Sequence, residues 1–207
     1  MENEYLGGEG QRLDAESLKD FFARTPRLAV ALSGGCDSAY LLAAACLAGC
    51  EVAAYGVKTA FQPDGELDDS YQLAKAYGVP FSVIEKDVFA YDDICKNTER
   101  RCYFCKRMIF EAIIEAAHAD GIFVVADGTN KTDDPDNRPG FRALAELGVV
   151  SPLRRANLSK DDIRQASRAL GLFTADKPSF SCYAVHAPAH QALDLAAIEA
   201  VRVQFER

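Results

Sequence analysis

The segment at residues 28–50, LAVALSGGCDSAYLLAAACLAGC, constrains the fold of this chain more than any other. Its small and apolar LAVAL run predicts a buried strand at 28–32, and its alanine- and leucine-rich run predicts a helix at 37–48. Gly34 and Gly35 lie between them, where a tight turn needs backbone conformations that other residues rarely adopt. The segment therefore predicts one strand–turn–helix unit of an α/β protein.

Strand and helix patterns alternate along the rest of the chain. Further strands are predicted at 51–57, 81–85, 122–126 and 149–150. Further helices are predicted at 14–24, 67–77, 106–119, 141–147, 159–170 and 190–205. Because the strands lack polar alternation, we expect an α/β, Rossmann-like parallel sheet with helices on both faces. In such sheets ligands bind beyond the carboxyl ends of the strands, which is where the glycine turn lies.

Composition limits the kinds of partner that we expect. The 207 residues carry a formal net charge of −8, which gives no general attraction to the backbone of a nucleic acid. No apolar run reaches the roughly 20 residues of a membrane helix. The N-terminus also lacks the basic and apolar pattern of a signal peptide. We therefore expect a cytoplasmic protein with no membrane partner.

The glycine turn has the features of an anion site. Free N–H groups at the start of a helix favour a phosphate, and the hydroxyls of Ser33 and Ser38 add donors. Asp37 is a candidate to cap the helix or to hold Mg²⁺, whereas Cys36 is interpreted as a small filler. A plain turn with polar caps is the alternative. The complete Ser-Gly-Gly-x-Asp-Ser string favours phosphate binding, although the Lys-Ser/Thr ending of the common P-loop is absent.

The cysteines form a second candidate site. Seven of them, an odd number, argue against a disulfide framework in a reducing compartment. Cys102 and Cys105 are separated by two residues just before the predicted helix at 106–119, a spacing that suits zinc or an iron–sulfur cluster. One pair cannot complete such a site, so Cys182 is the candidate third ligand. Three unrelated thiols agree equally well with the spacing.

Five segments, in their order and spacing, resemble the LarE family of ATP-dependent sacrificial sulfur transferases, within the PP-loop superfamily of N-type ATP pyrophosphatases. They read SGGCDSAYLL, RRCYFCK, DGTNKTDDPDNRPGFRALAELGVVSPLR, LSKDDIRQASRALGL and KPSFSCYA. The resemblance covers residues 28–184 and implies the adenine nucleotide alpha hydrolase-like form of the α/β fold. It also implies a helical lead-in at 1–26, a PP-loop domain at 27–175, and a cysteine loop with a short C-terminal helix at 176–207.

The resemblance also implies a reaction. ATP adenylates a carboxylate of pyridinium-3,5-biscarboxylic acid mononucleotide, and sulfur displaces AMP to give a thiocarboxylate for nickel-pincer cofactor synthesis. In one branch of the family a single cysteine, at the position of Cys182, gives up its own sulfur. In another branch three cysteines hold a 4Fe–4S cluster that carries the donor sulfide. Because Cys102 and Cys105 are present, this chain resembles the cluster branch, with zinc as the alternative occupant.

The resemblance assigns roles to particular residues. The expected catalytic residues are Cys182, Asp37, Asp133 and Arg138. The expected ATP and Mg²⁺ contacts are Ser33, Gly34, Gly35, Asp37, Ser38, Lys58, Thr59, Gly128 and Thr129. The expected cluster ligands are Cys102, Cys105 and Cys182. The implied partners are the pyridinium mononucleotide, a sulfide donor and further copies of the chain.

The chain also departs from the family pattern. It has YAVH after the late cysteine, where the family has a Leu-Ala-Ser/Thr-Arg run, and its C-terminal region is shorter. A different acceptor is therefore an alternative, as is a PP-loop tRNA thiolase. A third alternative is a nucleotide- or metal-binding relative without catalytic activity.

Overall fold

A parallel sheet forms the centre of the molecule in a computed structural model that describes residues 16–63, 65–134 and 139–205. Its strands are β1 (Arg27–Ala31), β2 (Glu51–Lys58), β3 (Phe81–Glu85) and β4 (Val125–Ala126), and their order across the sheet is β3-β2-β1-β4. β1 pairs in parallel with both β2 and β4. The turn after β1 therefore lies in the middle of the sheet's carboxyl edge.

Helices cover both faces of this sheet. They are α1 (Leu18–Arg24), α2 (Cys36–Leu47), α3 (Glu66–Ala76), α4 (Asp92–Cys95), α5 (Arg101–Ala119), α6 (Gly140–Glu146), α7 (Pro152–Arg155), α8 (Lys160–Ala169), α9 (Tyr183–His186) and α10 (Leu195–Phe205). A 3₁₀ turn lies at Val88–Ala90. The prediction of a parallel α/β sheet with helices on both faces is confirmed.

Alternate side chains of β1 enter two different cores, as the period of two residues in a strand requires. Leu28 and Val30 pack with residues of α1, α2, α3 and α8 on one face. Ala29 packs on the other face with α5 residues such as Phe110 and Ile113. Burial on both faces explains why the strand sequence is continuously apolar.

A third apolar cluster lies beside the sheet and joins distant parts of the chain. It contains Phe61, which follows β2, Met108 of α5, and Ile198 and Val201 of α10. Tyr183 of α9 belongs to the same cluster, and its N–H donates to the carbonyl of Phe61 at 2.8 Å. This cluster anchors the C-terminal segment against the helix that carries two of the candidate cysteines.

The predicted start of α5 at residue 106 is wrong. The helix begins at Arg101, so Cys102 and Cys105 lie inside its first turns rather than before it. The guanidinium of Arg100 stacks 4.8 Å from the ring centre of Phe104, one turn further on, which stabilises this early start. Because residues three apart share one face of a helix, the earlier start brings the two thiols to the same side.

Three other predicted boundaries differ, and the first is that of the helix predicted from residue 14, which begins at Leu18 after its N-cap Ser17. The strand predicted at 122–126 is regular only over Val125–Ala126, and Val150 adds an isolated parallel bridge to Ala126. The helix predicted from residue 190 begins at Leu195 because His190 has a φ of 63°, which no right-handed helix accepts. In the described part of the chain, no helix is long and apolar enough to cross a membrane.

Candidate functional site

The glycine turn after β1 has a backbone that its sequence requires. Gly34 has a φ of 72°, and a Cβ at this position would collide with the carbonyl oxygen of Glu66. The hydroxyls of Ser33 and Ser38 lie 3.1 Å apart, and Ser38 Oγ also donates to the Gly35 carbonyl at 3.2 Å. These bonds hold the turn in one shape before any ligand binds.

The start of α2 presents free N–H groups beside this turn. Its first bond of helical spacing is from Ala39 N–H to the carbonyl of Gly35, at 3.1 Å. Gly35, at the N-cap, provides no side-chain partner for the earlier N–H groups. Since unpaired N–H groups and the helix dipole both favour negative charge, this end of α2 suits a phosphate.

The loop after β4 lies directly against the glycine turn. A Cβ at Gly128 would lie 2.7 Å from Ser38 N, so only glycine allows this approach. The buried carboxylate of Asp127 accepts hydrogen bonds from Thr129 Oγ1 at 2.5 Å and Ser151 Oγ at 2.6 Å. The two strand ends therefore form one continuous polar surface.

A cleft of about 400 Å³ opens over this surface. The predicted site residues that border it are Ser33, Gly35, Asp37, Ser38, Gly128, Thr129 and Asp133. Its lining also includes the apolar side chains of Val57 of β2 and of Ile109, Phe110 and Ile113 of α5, together with the charged Lys106. A polar end with helix N–H groups and an apolar wall together suit a nucleoside triphosphate.

Asp37 combines one paired and one unpaired carboxylate oxygen. Its Oδ2 accepts a hydrogen bond from Lys160 Nζ at 2.5 Å. Its Oδ1 is buried and has no hydrogen-bond partner among the described residues. A buried, unpaired carboxylate oxygen beside a phosphate site is a suitable Mg²⁺ ligand, so this residue fits the expected metal.

Two lysines at this site were missed by the sequence analysis. Besides Lys160, Lys177 reaches the glycine turn, where its Nζ donates to the Gly34 carbonyl at 3.0 Å and pairs with Asp69. Both lysines come from segments far along the chain. The sequence could have indicated them only through the two late segments LSKDDIR and KPSFSC, in which they lie. These segments supported the family resemblance, but no role was assigned to the lysines.

Other predicted residues lie further away or outside the described chain. Lys58 pairs with Glu85 at 3.0 Å and, with Thr59, borders a neighbouring depression rather than the cleft. Asp133 Oδ2 accepts from Asn130 N–H at 3.0 Å, so it also orders its own loop. Arg138 lies outside the described residues. The roles assigned to these residues remain predictions.

The three candidate thiols come from two segments that meet beside the cleft. Cys102 and Cys105 lie on α5, and Cys182 is the N-cap residue of α9. Arg101 links the segments, because its NH1 donates to the Ala184 carbonyl at 2.5 Å while its NH2 lies 3.5 Å from Cys102 Sγ. Cys105 and Cys182 both pack against the third apolar cluster.

The thiols influence one another electrostatically. Burial, followed by the negative charges of Cys182 and Cys102, raises the pKa of the Cys105 thiol to about 12. Burial also raises the pKa of Cys182, which backbone hydrogen bonding and the charge of Arg101 partly offset. As free thiols, Cys105 and Cys182 are therefore protonated at neutral pH and weakly nucleophilic.

These thiols do not form a closed site for a single ion. Over residues 16–63, 65–134 and 139–205, no three His, Cys, Asp or Glu side chains lie close enough together to hold one metal ion. A tetrahedral zinc site brings its sulfurs within about 3.8 Å of one another, because each Zn–S bond is about 2.3 Å. A cluster binds each sulfur through a different iron and accepts wider spacing, and soft sulfurs in apolar surroundings suit it.

Comparison with solved structures assigns the fold. The NH3-dependent NAD synthetase of Campylobacter jejuni, in complex with nitrate, superimposes with a TM-score of 0.57 at 18% identity, over 91% of this chain and 90% of that one. Together with the parallel sheet and the Ser-Gly-Gly-x-Asp-Ser turn, this likeness is decisive. The fold is that of the PP-loop ATP pyrophosphatases. The turn at residues 33–38 is called the PP-loop below.

Curated relatives share sequence with most of this chain. An uncharacterised Synechocystis protein is 35% identical over 84% of the chain and 65% of its own length. The pyridinium-3,5-bisthiocarboxylic acid mononucleotide synthase of Lactiplantibacillus plantarum is 33% identical, over 78% of the chain and 58% of the synthase. A tRNA-specific 2-thiouridylase of Fervidobacterium nodosum is 28% identical, over 73% and 54% respectively.

The chain thus spans between 54% and 65% of the length of these relatives. No family model matches it. The chain is a homologue of sulfur-inserting PP-loop proteins, and its own reaction is a matter for proposal.

Proposed function

We propose that this chain is an ATP-dependent sulfur transferase of the LarE type. It adenylates a carboxylate of pyridinium-3,5-biscarboxylic acid mononucleotide and converts it to a thiocarboxylate. The main support for this proposal is the position of α5. This helix lines the PP-loop cleft with Ile109 and Phe110, and two of the thiols lie at its start. Phe180 also borders the cleft, two residues before Cys182. The similarity to the Lactiplantibacillus synthase supports the same proposal.

The first step is adenylation at the PP-loop. A carboxylate oxygen of the acceptor attacks the α-phosphorus of ATP, and pyrophosphate leaves with the electron pair of the broken P–O bond. The N–H groups at the start of α2 hold the departing pyrophosphate, while the Ser33 and Ser38 hydroxyls keep the turn in shape. Asp37 would hold Mg²⁺ with its unpaired Oδ1, while Lys160 keeps Oδ2 in place. Magnesium supplies charge neutralisation for the leaving group.

The second step forms the carbon–sulfur bond. Sulfide sulfur attacks the activated carbonyl carbon, and AMP leaves with the carboxylate oxygen that attacked phosphorus. A free carboxylate cannot react in this way because its leaving group would be oxide, whereas AMP is a good leaving group. The buried thiols of Cys105 and Cys182 are poor nucleophiles while protonated, and they would have to lose these protons to bind a cluster.

Cys102, Cys105 and Cys182 would hold a 4Fe–4S cluster in this proposal. When bound, a cluster with three protein ligands supplies one iron at which sulfide can exchange. The apolar surroundings of Cys105 and Cys182 keep water from that side, and Arg101 fixes the α9 segment against α5. A sulfide donor, a homo-oligomeric assembly and a cytoplasmic location remain predictions.

The deciding experiment is a single anaerobic turnover. Reconstituted protein is incubated with ATP, Mg²⁺ and the pyridinium dicarboxylate mononucleotide whose carboxylates carry oxygen-18. We expect one oxygen of the acceptor to be replaced by sulfur, with oxygen-18 recovered in AMP, both measured by mass spectrometry. Formation of ADP, or AMP without label, contradicts the proposal.

The similarity to a tRNA 2-thiouridylase supports a second candidate. A tRNA thiolase would use the same PP-loop, but the net charge of −8 offers no general attraction to RNA. Incubation with transcribed tRNA in place of the mononucleotide separates the two. AMP release that depends on tRNA, with a thiolated base in the digest, would replace the first proposal with the second.

A further inference from the structure

Three lysines surround the PP-loop cleft, and their pairing differs. Lys160 is paired with Asp37, and Lys177 is paired with Asp69 and the Gly34 carbonyl. The half-buried Lys106 borders the cleft but has neither a hydrogen bond nor an ion pair within the described chain. Its ammonium instead lies 5.4 Å from the ring centre of Phe110. Its positive charge is thus available to a ligand.

The fold places this charge between the two parts of the site. Lys106, Ile109 and Ile113 of α5 all line the cleft, at the spacing that shares one helix face. Cys102 lies one turn before Lys106 on that face, and Cys105 directly precedes Lys106 in α5. The ammonium therefore lies where the cleft approaches the thiols.

The stem of Lys106 is held by its surroundings. A Cβ at Gly140, the first residue of α6, would lie only 2.9 Å from Lys106 Cγ. The stem of Lys106 therefore packs closely against the backbone of Gly140. Asp37 and Asp133 border the same cleft and repel a second anion beside ATP. A dianion bound here therefore needs a nearby cation that is not ion-paired with either of these carboxylates.

We propose that Lys106 binds a carboxylate of the acceptor and so selects aromatic carboxylates over uncharged bases. This assignment rests on the proposed function, because it names the residue that recognises the proposed substrate class. The ammonium–carboxylate contact forms in a half-buried cleft, where charge pairing is stronger than at an exposed surface. The apolar wall of Ile109 and Ile113 provides a surface for the aromatic ring.

The test is equilibrium binding to the full chain, saturated with Mg²⁺ and an ATP analogue whose α–β bridge is a methylene group. The probes are pyridine-3,5-dicarboxylate and its uncharged dicarboxamide, and calorimetry measures both. Lys106→Gln should weaken dicarboxylate binding at least about tenfold, whereas Lys106→Arg should retain most of it. The matched control is Arg107→Gln, which removes an adjacent charge that does not border the cleft. It should bind like the wild-type chain.

The outcomes separate this assignment from the function on which it rests. Lys106→Gln should leave the affinity for the ATP analogue and the melting temperature unchanged. Loss of analogue binding with intact dicarboxylate binding would overturn the assignment in favour of a phosphate contact. Failure of the wild-type chain to prefer the dicarboxylate over the dicarboxamide would also overturn it. A wild-type chain that binds the dicarboxylate through Lys106, but makes no AMP in the separate turnover experiment with ATP itself, would refute the proposed function alone.

Discussion

The PP-loop and the thiol group lie side by side, but they are built differently. The PP-loop is a local backbone structure between β1 and α2, held by Ser33, Ser38 and the φ of Gly34. The thiol group depends on side chains from α5 and α9, which are held together by Arg101 and a buried apolar cluster. A site built from backbone N–H groups is complete before a phosphate binds, whereas the thiols of Cys105 and Cys182 are protonated and would have to lose their protons to bind a metal.

This difference suggests a division of labour. The PP-loop edge is rigid because strand ends and glycines pack there without space for a Cβ. On the thiol side, no three metal-binding side chains converge on one ion among the described residues. ATP cleavage and sulfur delivery should therefore respond separately to mutation.

Loss of any one of the three thiols should have the largest effect, and that effect should be confined to sulfur delivery. Cys102→Ala, Cys105→Ala and Cys182→Ala should each abolish cluster retention and sulfur transfer, while acceptor-dependent pyrophosphate release continues. Cys95→Ala is the matched control because its thiol lies near the carbonyls of Val88 and Phe89. Iron and sulfide content and anaerobic absorbance measure the result. If only Cys182→Ala stops sulfur transfer, the single-cysteine mechanism replaces the cluster mechanism.

Asp37→Asn tests the PP-loop. Loss of the carboxylate removes the Mg²⁺ ligand and the partner of Lys160, so pyrophosphate release should fall about 10²–10³-fold. Cluster content should stay at the wild-type level. Asp161→Asn, on the exposed side of α8, is the control and should keep full activity. A parallel loss of cluster in Asp37→Asn would show that the two sides are one cooperative unit.

Gly128→Ala should damage the PP-loop edge by packing alone. The added Cβ would lie 2.7 Å from Ser38 N, and such overpacking costs about 1–3 kcal/mol. Gly35→Ala is the matched comparison for stability, because its Cβ would only meet Ser33 Oγ at 3.5 Å. Denaturant unfolding measures both variants. Equal stabilities would mean that the loop after β4 can move away from α2.

The effect expected to be smallest near neutral pH concerns titration on the thiol side. The pKa of Cys105 rises from 9.0 to about 12 on folding, so the folded chain keeps a proton that the unfolded chain loses. In metal-free protein, the retained proton of Cys105 contributes fully to the free energy of unfolding below pH 9.0. This contribution is lost as the pH rises towards about 12. Cys105→Ala should lose less stability than the wild-type chain over that interval. Identical pH slopes from denaturant titrations would show that Cys105 is not buried in solution.

The sequence predicted the central fold well because its signals are local. Continuous apolar strands and the PP-loop string depend on residues adjacent in the chain, so β1, the glycine turn and α2 were found within a residue or two. The start of α5 was missed because its stabilising contact, Arg100 on Phe104, has no clear pattern in the sequence. The start of α10 was missed because the residue pattern gives no sign of the left-handed backbone at His190, where φ is 63°.

By itself, the sequence determined the parallel α/β sheet and the PP-loop, and it singled out three cysteines as candidate ligands. Only the tertiary structure decided which charges surround the cleft. Lys160 and Lys177 pair with Asp37 and Asp69, whereas Lys106 lies 5.4 Å from the ring centre of Phe110 and has no ion pair among the described residues. The reason is physical: backbone sites follow local conformation, while pairing between side chains more than a hundred residues apart depends on how the helices pack against the sheet.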